Sequence, residues 1–185
     1  MKLIILSALA QETEYLETDH HIITTGVGKV NAAFATTKAI RDEKPDLIIN
    51  FGTAGSLKKE ISGLVDCKYF LQRDMDSRPL GFELGETPFE IDPPIIIEAP
   101  NNSINNINMN LICASGDSFV ESDIGLSADI VDMEAYSIAK ICYFESVPFA
   151  CFKFISDFAD EFAADDFSQN VLKAGESFSS YLECL

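Results

Sequence analysis

The feature of this sequence that most constrains its fold is a series of short apolar runs with helix-like segments between them. Most runs are continuous rather than alternating, which is typical of strands covered on both faces. The runs are Leu3–Leu6, Ile22–Ile23, Leu47–Ile49, Leu64–Leu71, Ile95–Ile97, Leu111–Ala114 and Phe149–Ile155. Strands that alternate with helices predict an α/β fold with a mostly parallel sheet.

Three segments have the period of an α-helix with an apolar stripe. The stripes are Val30, Ala33, Phe34, Thr37 and Ile40 in Lys29–Glu43; Ala135, Ile138, Ala139 and Cys142 in Glu134–Glu145; and Val171, Leu172, Phe178, Leu182 and Leu185 in Phe167–Leu185. Arg73–Asp92, with its prolines and glycines, is expected to be a long loop with a functional or interface role. Because no repeat or linker divides the chain, we expect residues 1–185 to form a single domain.

The charge balance limits the partners of this chain. It has 30 acidic and 13 basic residues, giving a formal net charge of -17. Such a charge repels a phosphate backbone and acidic headgroups, so we expect no nucleic-acid partner. No apolar run approaches the ~20 residues of a membrane-spanning helix, so we expect no membrane partner either.

Cysteine usage indicates reduced thiols rather than disulfides or metal ligands. The five cysteines are Cys67, Cys113, Cys142, Cys151 and Cys184. Their number is odd, no pair has a C-x-x-C spacing, and no repeated Cys/His pattern accompanies them. We therefore expect no metal site, burial for the four that lie in apolar runs, and a reducing, cytoplasmic location.

A glycine-containing turn, Thr25–Asn31, follows a predicted strand and opens a predicted helix. It is half of a dinucleotide-binding fingerprint, but Asn31 replaces the third glycine and no acidic residue ends the next strand. The phosphate-binding pattern G-x-x-x-x-G-K-[ST] is absent. We therefore expect neither a nicotinamide cofactor nor a P-loop here, and a simple tight turn is the alternative.

Four further segments lie where predicted strands end, namely Asn50–Ser56, Ser115–Val120, Val131–Ala135 and Ser156–Asp157. In open α/β sheets, ligands bind at the carboxyl ends of the strands. The glycines in Asn50–Ser56 would let backbone N–H groups approach a ligand oxygen. Phe119 could stack on an aromatic base, although an ordinary core position is the alternative. The convergence of these segments predicts a ligand site at that edge.

Five motifs together carry a resemblance to a known family. They are Thr25–Ala33, Asn50–Ser56, Ser115–Val120, Val131–Ala135 and Ile155–Asp160, in this order. The chain resembles the nucleoside phosphorylase/nucleosidase superfamily, most closely its 5'-methylthioadenosine/S-adenosylhomocysteine nucleosidases, from residue 1 to about residue 160. The resemblance implies a three-layer α/β sandwich with a central mixed β-sheet flanked by helices, and a homodimer. It also implies cleavage of the bond between adenine and ribose by water, without a cofactor.

The resemblance implies catalytic roles for three acidic residues. Asp157 matches the acid that protonates N7 of the leaving purine, and Glu134 matches the carboxylate that holds the ribose hydroxyls. Glu12 matches the general base that activates water, and Glu14 is the alternative residue for this role. Cleavage needs a neutral acid at the base and an ionised carboxylate at the water, so burial must keep the two groups in different states.

The remaining site residues implied by the resemblance bind substrate or water. Ser156 orients the acid, Met133 packs under the sugar, Phe119 stacks on the base and Val120 faces its edge. Thr53, Gly55 and Lys153 lie near the water and the glycine-rich turn, and Lys153 is expected to favour the charged form of Glu12. Leu80, Phe82 and Pro88 are expected to contact the 5'-substituent, some of them from a neighbouring subunit.

The nucleophile is the remaining question. Phosphorylases of this superfamily bind phosphate through arginines and a glycine-rich loop, whereas this chain has only Arg41, Arg73 and Arg78, and Ala8–Glu12 after its first strand. We therefore predict hydrolysis of a 5'-substituted purine nucleoside, such as 5'-methylthioadenosine or S-adenosylhomocysteine. A phosphate-dependent purine nucleoside phosphorylase and a non-catalytic nucleoside-binding protein are the alternatives.

Overall fold

The computed structural model describes residues 1–100, 102–122 and 124–183. The strands in this part of the chain are β1 (Leu3–Ser7), β2 (His21–Thr24), β3 (Leu47–Ser56), β4 (Leu64–Gln72), β5 (Ile97–Glu98), β6 (Leu111–Ser115), β7 (Ile130–Asp132) and β8 (Phe149–Asp157). The helices are α1 (Lys29–Glu43), α2 (Ala135–Glu145), α3 (Ala163–Asn170) and α4 (Lys173–Leu182). Two short 3₁₀ helices lie at Ala10–Thr13 and Arg78–Leu80.

The strands form one mixed sheet with the order β2-β1-β3-β7-β6-β4-β5, and β8 pairs with both β3 and β4. β1 pairs in parallel with β2 and β3, and β8 with β3, while β4, β6 and β7 pair in parallel in turn. β7 is antiparallel to β3, and β4 is antiparallel to β5 and β8. The pairings β3–β7–β6–β4–β8–β3 therefore close on themselves, and the predicted mixed α/β sheet is confirmed.

The sheet is covered on both faces, as continuous apolar strands require. Successive side chains of a strand point to opposite faces. Ile4 and Leu6 of β1 join the core formed with α1 and α2, whereas Leu3 and Ile5 join the core formed with α4. In the second core, the Phe178 ring of α4 stacks on Phe51 of β3 with centroids 4.2 Å apart. The layers predicted for the sandwich are thus present.

The predicted apolar stripe of α1 is wrong. The helix buries Ala32, Thr36 and Ala39, whereas Val30 and Phe34 are 80% and 72% exposed. The small side chains allow α1 to pack closely on α2, which leaves its large apolar residues on the outer face. The stripe of α2 is confirmed, because Ala135, Ile138, Ala139 and Cys142 are all buried.

The predicted C-terminal helix is two helices, α3 and α4, separated at Val171 and Leu172. α4 packs against the turn that follows β1. A Cβ atom on Gly175 would lie 3.1 Å from the backbone N of Leu16 and 3.3 Å from the backbone O of Glu12. The absence of a side chain at Gly175 therefore lets α4 support the backbone that carries Glu12.

Cys67, Cys113, Cys142 and Cys151 are buried free thiols, as predicted, and Cys184 lies outside the described residues, as does Leu185. Burial raises the pKa of Cys113 to about 12. Among residues 1–100, 102–122 and 124–183, no three His, Cys, Asp or Glu side chains form a group that could hold a metal ion. Within the same ranges, no helix combines the length and the apolar character needed to cross a membrane.

Candidate active site

A cavity of about 260 Å³ lies at the carboxyl ends of β6, β7 and β8, beside β3 and the turn after β1. The acidic residues that line it are Glu12, Asp132, Glu134 and Asp157. All four are at most 7% exposed. Strand ends therefore bring together carboxyl groups that are far apart in sequence.

Glu12 is held by four hydrogen bonds. Its Oε1 accepts from the backbone N–H and the hydroxyl of Thr53, at 2.8 and 2.7 Å. Its Oε2 accepts from the Ser7 hydroxyl at 2.7 Å and from the Leu9 backbone N–H at 3.0 Å. Four donors match the acceptor sites of an ionised carboxylate. Gly52 makes this contact possible, because a Cβ there would lie 2.8 Å from Oε1.

Asp157 ends β8 and lies against the backbone of β3. Its Oδ1 accepts the Ala159 backbone N–H at 2.9 Å, and the Ser156 hydroxyl bonds to Oδ2 at 2.8 Å. A Cβ on Gly55 would lie 2.6 Å from Oδ1, so only glycine leaves room for this carboxyl. Burial raises the pKa of Asp157, an effect that these two hydrogen bonds oppose.

Glu134 immediately precedes α2 and faces the start of α1. Its Oε1 accepts the Gly28 backbone N–H at 2.8 Å. Burial raises the pKa of Glu134 to about 7, and the neighbouring Asp132 carboxylate adds to the rise. Lys153 and the Gly28 N–H oppose the rise. The surroundings of Glu134 therefore favour its protonated form more than those of an exposed glutamate do.

Lys153 is fully buried below the cavity and forms an ion pair with Asp132, with Nζ 2.8 Å from Oδ2. Burial alone would raise the pKa of Asp132, but Lys153 and the hydrogen bonds from the Ser115 hydroxyl and the Ala135 N–H lower it. The pKa of Lys153 is raised against its own burial, chiefly by Asp132. The two charges therefore neutralise each other inside the sheet.

The structure brings most of the predicted site residues together. Besides the three predicted carboxyls, the cavity is lined by Thr53, Gly55, Phe119, Val120, Met133 and Ser156. Lys153 does not line it, since its ammonium is directed to Asp132 rather than to Glu12. Glu14 is exposed and lies outside the lining.

The residues predicted to contact a 5'-substituent are not in the lining of this chain's own cavity. Leu80 is 72% exposed at the end of the second 3₁₀ helix. Phe82 contacts Phe89 edge to face, with ring centroids 5.2 Å apart, and Pro88 is half-buried. All of these residues lie on the connection between β4 and β5.

Sequence reasoning missed several residues of the lining. Asp132 was part of a recognised motif, and its position at a strand end was the signal that it could reach the cavity. Phe167 of α3 contributes an aromatic wall. Its ring contacts Phe119 edge to face, with ring centroids 6.4 Å apart. Leu9 and Val27 complete the apolar part of the wall. Only the packing of α3 on β8 brings Phe167 to this place.

Removal of the Glu134 charge is expected to stabilise the fold at alkaline pH. The folded pKa of about 7 lies above the ordinary value of 4.5, so ionisation costs stability as the pH rises through this interval. The cost at pH 8 is at most about 3 kcal/mol. Glu134→Gln should therefore increase the free energy of unfolding at pH 8 and change it little at pH 4, as measured by urea unfolding.

The matched control is Glu145→Gln, an exposed glutamate at the other end of α2. It is expected to leave the pH dependence of unfolding unchanged. A Glu134→Gln variant that follows the wild-type pH dependence would contradict the raised pKa of Glu134.

A carboxyl-lined cavity at the strand ends of a mixed α/β sheet is typical of small-molecule sites. A family model described as the phosphorylase superfamily matches residues 11–183, so the chain belongs to this superfamily. The predicted resemblance is thereby confirmed at the level of the superfamily.

Solved structures with the same fold include two from Helicobacter pylori. One is a futalosine hydrolase, 25% identical, with a TM-score of 0.84 over 98% of this chain and 95% of that one. The other is a 5'-methylthioadenosine/S-adenosyl homocysteine nucleosidase in complex with a pyrrolidine ligand, 26% identical, with a TM-score of 0.84 over 98% and 96%. An S-adenosylhomocysteine nucleosidase from Streptococcus pyogenes, 22% identical, has a TM-score of 0.83 over 100% and 97% and shows the shared fold.

Proposed function

We propose that this protein is an N-ribosyl hydrolase that releases a purine base, adenine, from a 5'-substituted nucleoside. The observation that carries the proposal is that Glu12, Glu134 and Asp157 line one cavity together with Phe119. A pocket that only binds a nucleoside needs no acid and no base, whereas this one holds carboxyls in different surroundings. The names of the two Helicobacter pylori structures, a futalosine hydrolase and a 5'-methylthioadenosine/S-adenosyl homocysteine nucleosidase, support the proposal.

Asp157 would act as the general acid. Breaking the glycosidic bond leaves negative charge on the purine, and a proton delivered to N7 of the base removes it. Burial raises the pKa of Asp157 and so favours the protonated carboxyl. The contacts from Ser156 and from the Ala159 N–H fix the direction in which that carboxyl faces. Phe119 and Phe167 would hold the base between them and the acid.

Glu12 would act as the general base toward water. Its four acceptor sites are all occupied by protein donors. A water that donates to Glu12 must therefore displace one of them, and the Thr53 hydroxyl is suited to this because it can rotate, unlike a backbone N–H. The rotated hydroxyl could then donate to the same water. Thr53 would thus exchange its contact with Glu12 for a contact with the nucleophile.

Glu134 would bind the ribose. A carboxylate can accept hydrogen bonds from both vicinal hydroxyls, which orients the sugar for attack. Its Oε1 keeps the Gly28 N–H, while its remaining acceptor sites face the cavity. Hydroxyl donors favour the ionised form, so substrate binding should lower the pKa of Glu134 from about 7.

The charges of the cavity favour water over phosphate. Its lining carries Glu12, Asp132, Glu134 and Asp157 and no lysine or arginine among the described residues. Lys153, just below, is already neutralised by Asp132. A phosphate dianion would enter a negative cavity without a cationic partner, whereas a neutral water molecule meets no such barrier.

Product analysis is the experiment that tests this function. Purified protein should release adenine and a free 5'-substituted ribose from 5'-methylthioadenosine or S-adenosylhomocysteine in phosphate-free buffer. A requirement for phosphate, with a sugar 1-phosphate as product, would identify a phosphorylase instead. Binding of the nucleosides without base release would identify a non-catalytic binding protein.

Futalosine belongs in the same substrate panel because a similar fold hydrolyses it, as the name of the neighbour states. The 5'-substituted adenosines are the preferred substrates in this proposal. Leu9 and Val27 add apolar wall to the cavity, which suits the thioether group that both compounds carry. Faster base release from futalosine than from both adenosine derivatives would overturn that preference.

We further propose that the protein acts as a cytoplasmic homodimer. Leu80 of the β4–β5 connection and Val30 and Phe34 of α1 are at least 72% exposed, which is unusual for large apolar side chains. In a dimer, Leu80, Phe82 and Pro88 would be covered and would reach the cavity of the partner. A solution mass of twice the chain mass supports this, and a monomer that is fully active refutes it.

A further inference from the structure

The connection between β6 and β7 carries Ser118, Phe119 and Val120 into the cavity. Its described residues, 116–122 and 124–129, include neither helix nor strand. Phe119 itself is 49% exposed, and its ring contact is the edge of Phe167. Burial therefore does little to fix this ring. The backbone of Phe119 is anchored on one side by Val120, which is buried in an apolar cluster, and on the other by the contacts of residues 116–118.

Arg73 holds this backbone from the neighbouring strand. It directly follows β4, and its backbone N–H donates to the Ser115 carbonyl at 2.9 Å. Its guanidinium donates from Nη1 to the Ser118 hydroxyl at 3.1 Å. From Nη2 it donates to the Gly116 carbonyl at 3.3 Å and to the Ser118 carbonyl. One planar group thus connects both ends of the 116–118 turn.

The lack of a side chain at Gly116 makes room for the Arg73 guanidinium. A Cβ atom at Gly116 would lie 2.8 Å from Cζ and 3.0 Å from Nε of Arg73. The guanidinium is therefore in direct contact with the Gly116 backbone, and any side chain there would displace it. Arg73 Nε, buried in this contact, has no hydrogen-bond partner within the described part of the chain.

A second set of polar contacts holds the same turn. The Asp117 backbone N–H donates to Asp74 Oδ2 at 2.8 Å, and the Lys29 backbone N–H donates to Asp117 Oδ1 at 2.8 Å. The Lys29 ammonium pairs with Asp74. These contacts hold Asp117 at the start of α1, but Ser118, adjacent to Phe119, is bonded through its side chain and its carbonyl to Arg73.

We infer that Arg73 is a positioning residue that places the Phe119 ring for stacking on the base, and that Gly116 is required for it to do so. The inference rests on the proposed function, because it assigns Phe119 to the base. An arginine side chain makes this connection well because its planar fork reaches two carbonyls and a hydroxyl at once. A lysine ammonium could make only some of these hydrogen bonds.

The first test compares Arg73→Ala with Arg41→Ala, an exposed arginine near the end of α1 that bonds to Asp42. Arg73→Ala is expected to raise KM for 5'-methylthioadenosine about tenfold, since base stacking is lost or misplaced, and to change kcat by less than about threefold. Arg73→Lys should have a KM between those of Arg73→Ala and the wild type. Arg41→Ala should match the wild type. Equal KM values for wild type and Arg73→Ala would overturn the inference.

The second test is a double-mutant cycle with Gly116→Ala. Alone, this variant should raise KM as much as Arg73→Ala, because the new methyl group displaces the guanidinium. In the Arg73→Ala background it should have no further effect, since there is nothing left to displace. Additive effects on KM would mean that the two residues act separately and would contradict the inference, whatever the effect on thermal stability.

Calorimetric binding of adenine separates this inference from the proposed function. Arg73→Ala and Gly116→Ala should each weaken adenine binding by about the same factor as they raise KM. If the wild type binds adenine but releases none from any nucleoside, the proposed hydrolysis fails while the positioning role can still be read from binding. If turnover is normal and adenine binding is unchanged in both variants, only the positioning role fails.

Discussion

Asp157→Asn is expected to keep nucleoside binding and to lose about three orders of magnitude in kcat. The amide has nearly the shape of the carboxyl and can keep the contacts with Ser156 and Ala159, but it cannot transfer a proton to the base. A leaving purine without that proton departs as an anion, which raises the barrier. Steady-state measurement of adenine release, with KM determined separately, provides the test.

Asp160→Asn is the matched control. Asp160 is exposed three residues later and caps the backbone N–H of Phe162. Its carboxylate adds to the raised pKa of Asp157 without reaching the cavity. We expect its kcat within about threefold of the wild type, since a neighbouring charge contributes less than the proton donor itself. Near-normal kcat in Asp157→Asn would refute the assignment of the acid.

Glu12→Gln is expected to lower kcat by about 10³-fold and also to destabilise the fold. The loss of the carboxylate removes the base that would activate water. In addition, the glutamine NH₂ group must face either the Leu9 N–H or the Thr53 N–H, neither of which can turn away. One buried donor is then unpaired, at a cost of about 1–3 kcal/mol in the free energy of unfolding.

Glu14→Gln distinguishes the two glutamates that could serve as the base. Glu14 is exposed on the same turn and lies outside the cavity. Its amide variant is expected to keep both kcat and the free energy of unfolding. Loss of activity in Glu14→Gln, with full activity in Glu12→Gln, would transfer the role of the base to Glu14.

The secondary structure was largely predictable because apolar runs and turns are local signals. Lys29–Glu43 is α1 with the predicted ends, and every predicted apolar run overlaps a strand. The orientation of α1 was not predictable in this way. Val30 and Phe34 formed the more hydrophobic stripe, but Ala32 and Ala39 face the core, where small side chains let α1 pack closely on α2. For α1, the most hydrophobic face was therefore not the buried one.

Some residues of the candidate site were likewise predictable from the sequence, and others were not. Glu134 and Asp157 were predicted from motifs that follow strands, and both line the cavity. Lys153 was expected to favour the charged form of Glu12, whereas its buried ammonium pairs with the Asp132 carboxylate. Phe167 had no local signal at all, because its place depends on how α3 packs on β8.

By itself, the sequence determined the alternation of buried strands and helices and the acidic residues at the strand ends, since both are local patterns of residues adjacent in the sequence. Only the tertiary structure decided which of these residues share a cavity, how Lys153 is neutralised, and that Arg73 connects to Gly116 and Ser118. The physical reason is that hydrogen bonds and ion pairs depend on distances between atoms, and strand pairing sets those distances between segments about 100 residues apart.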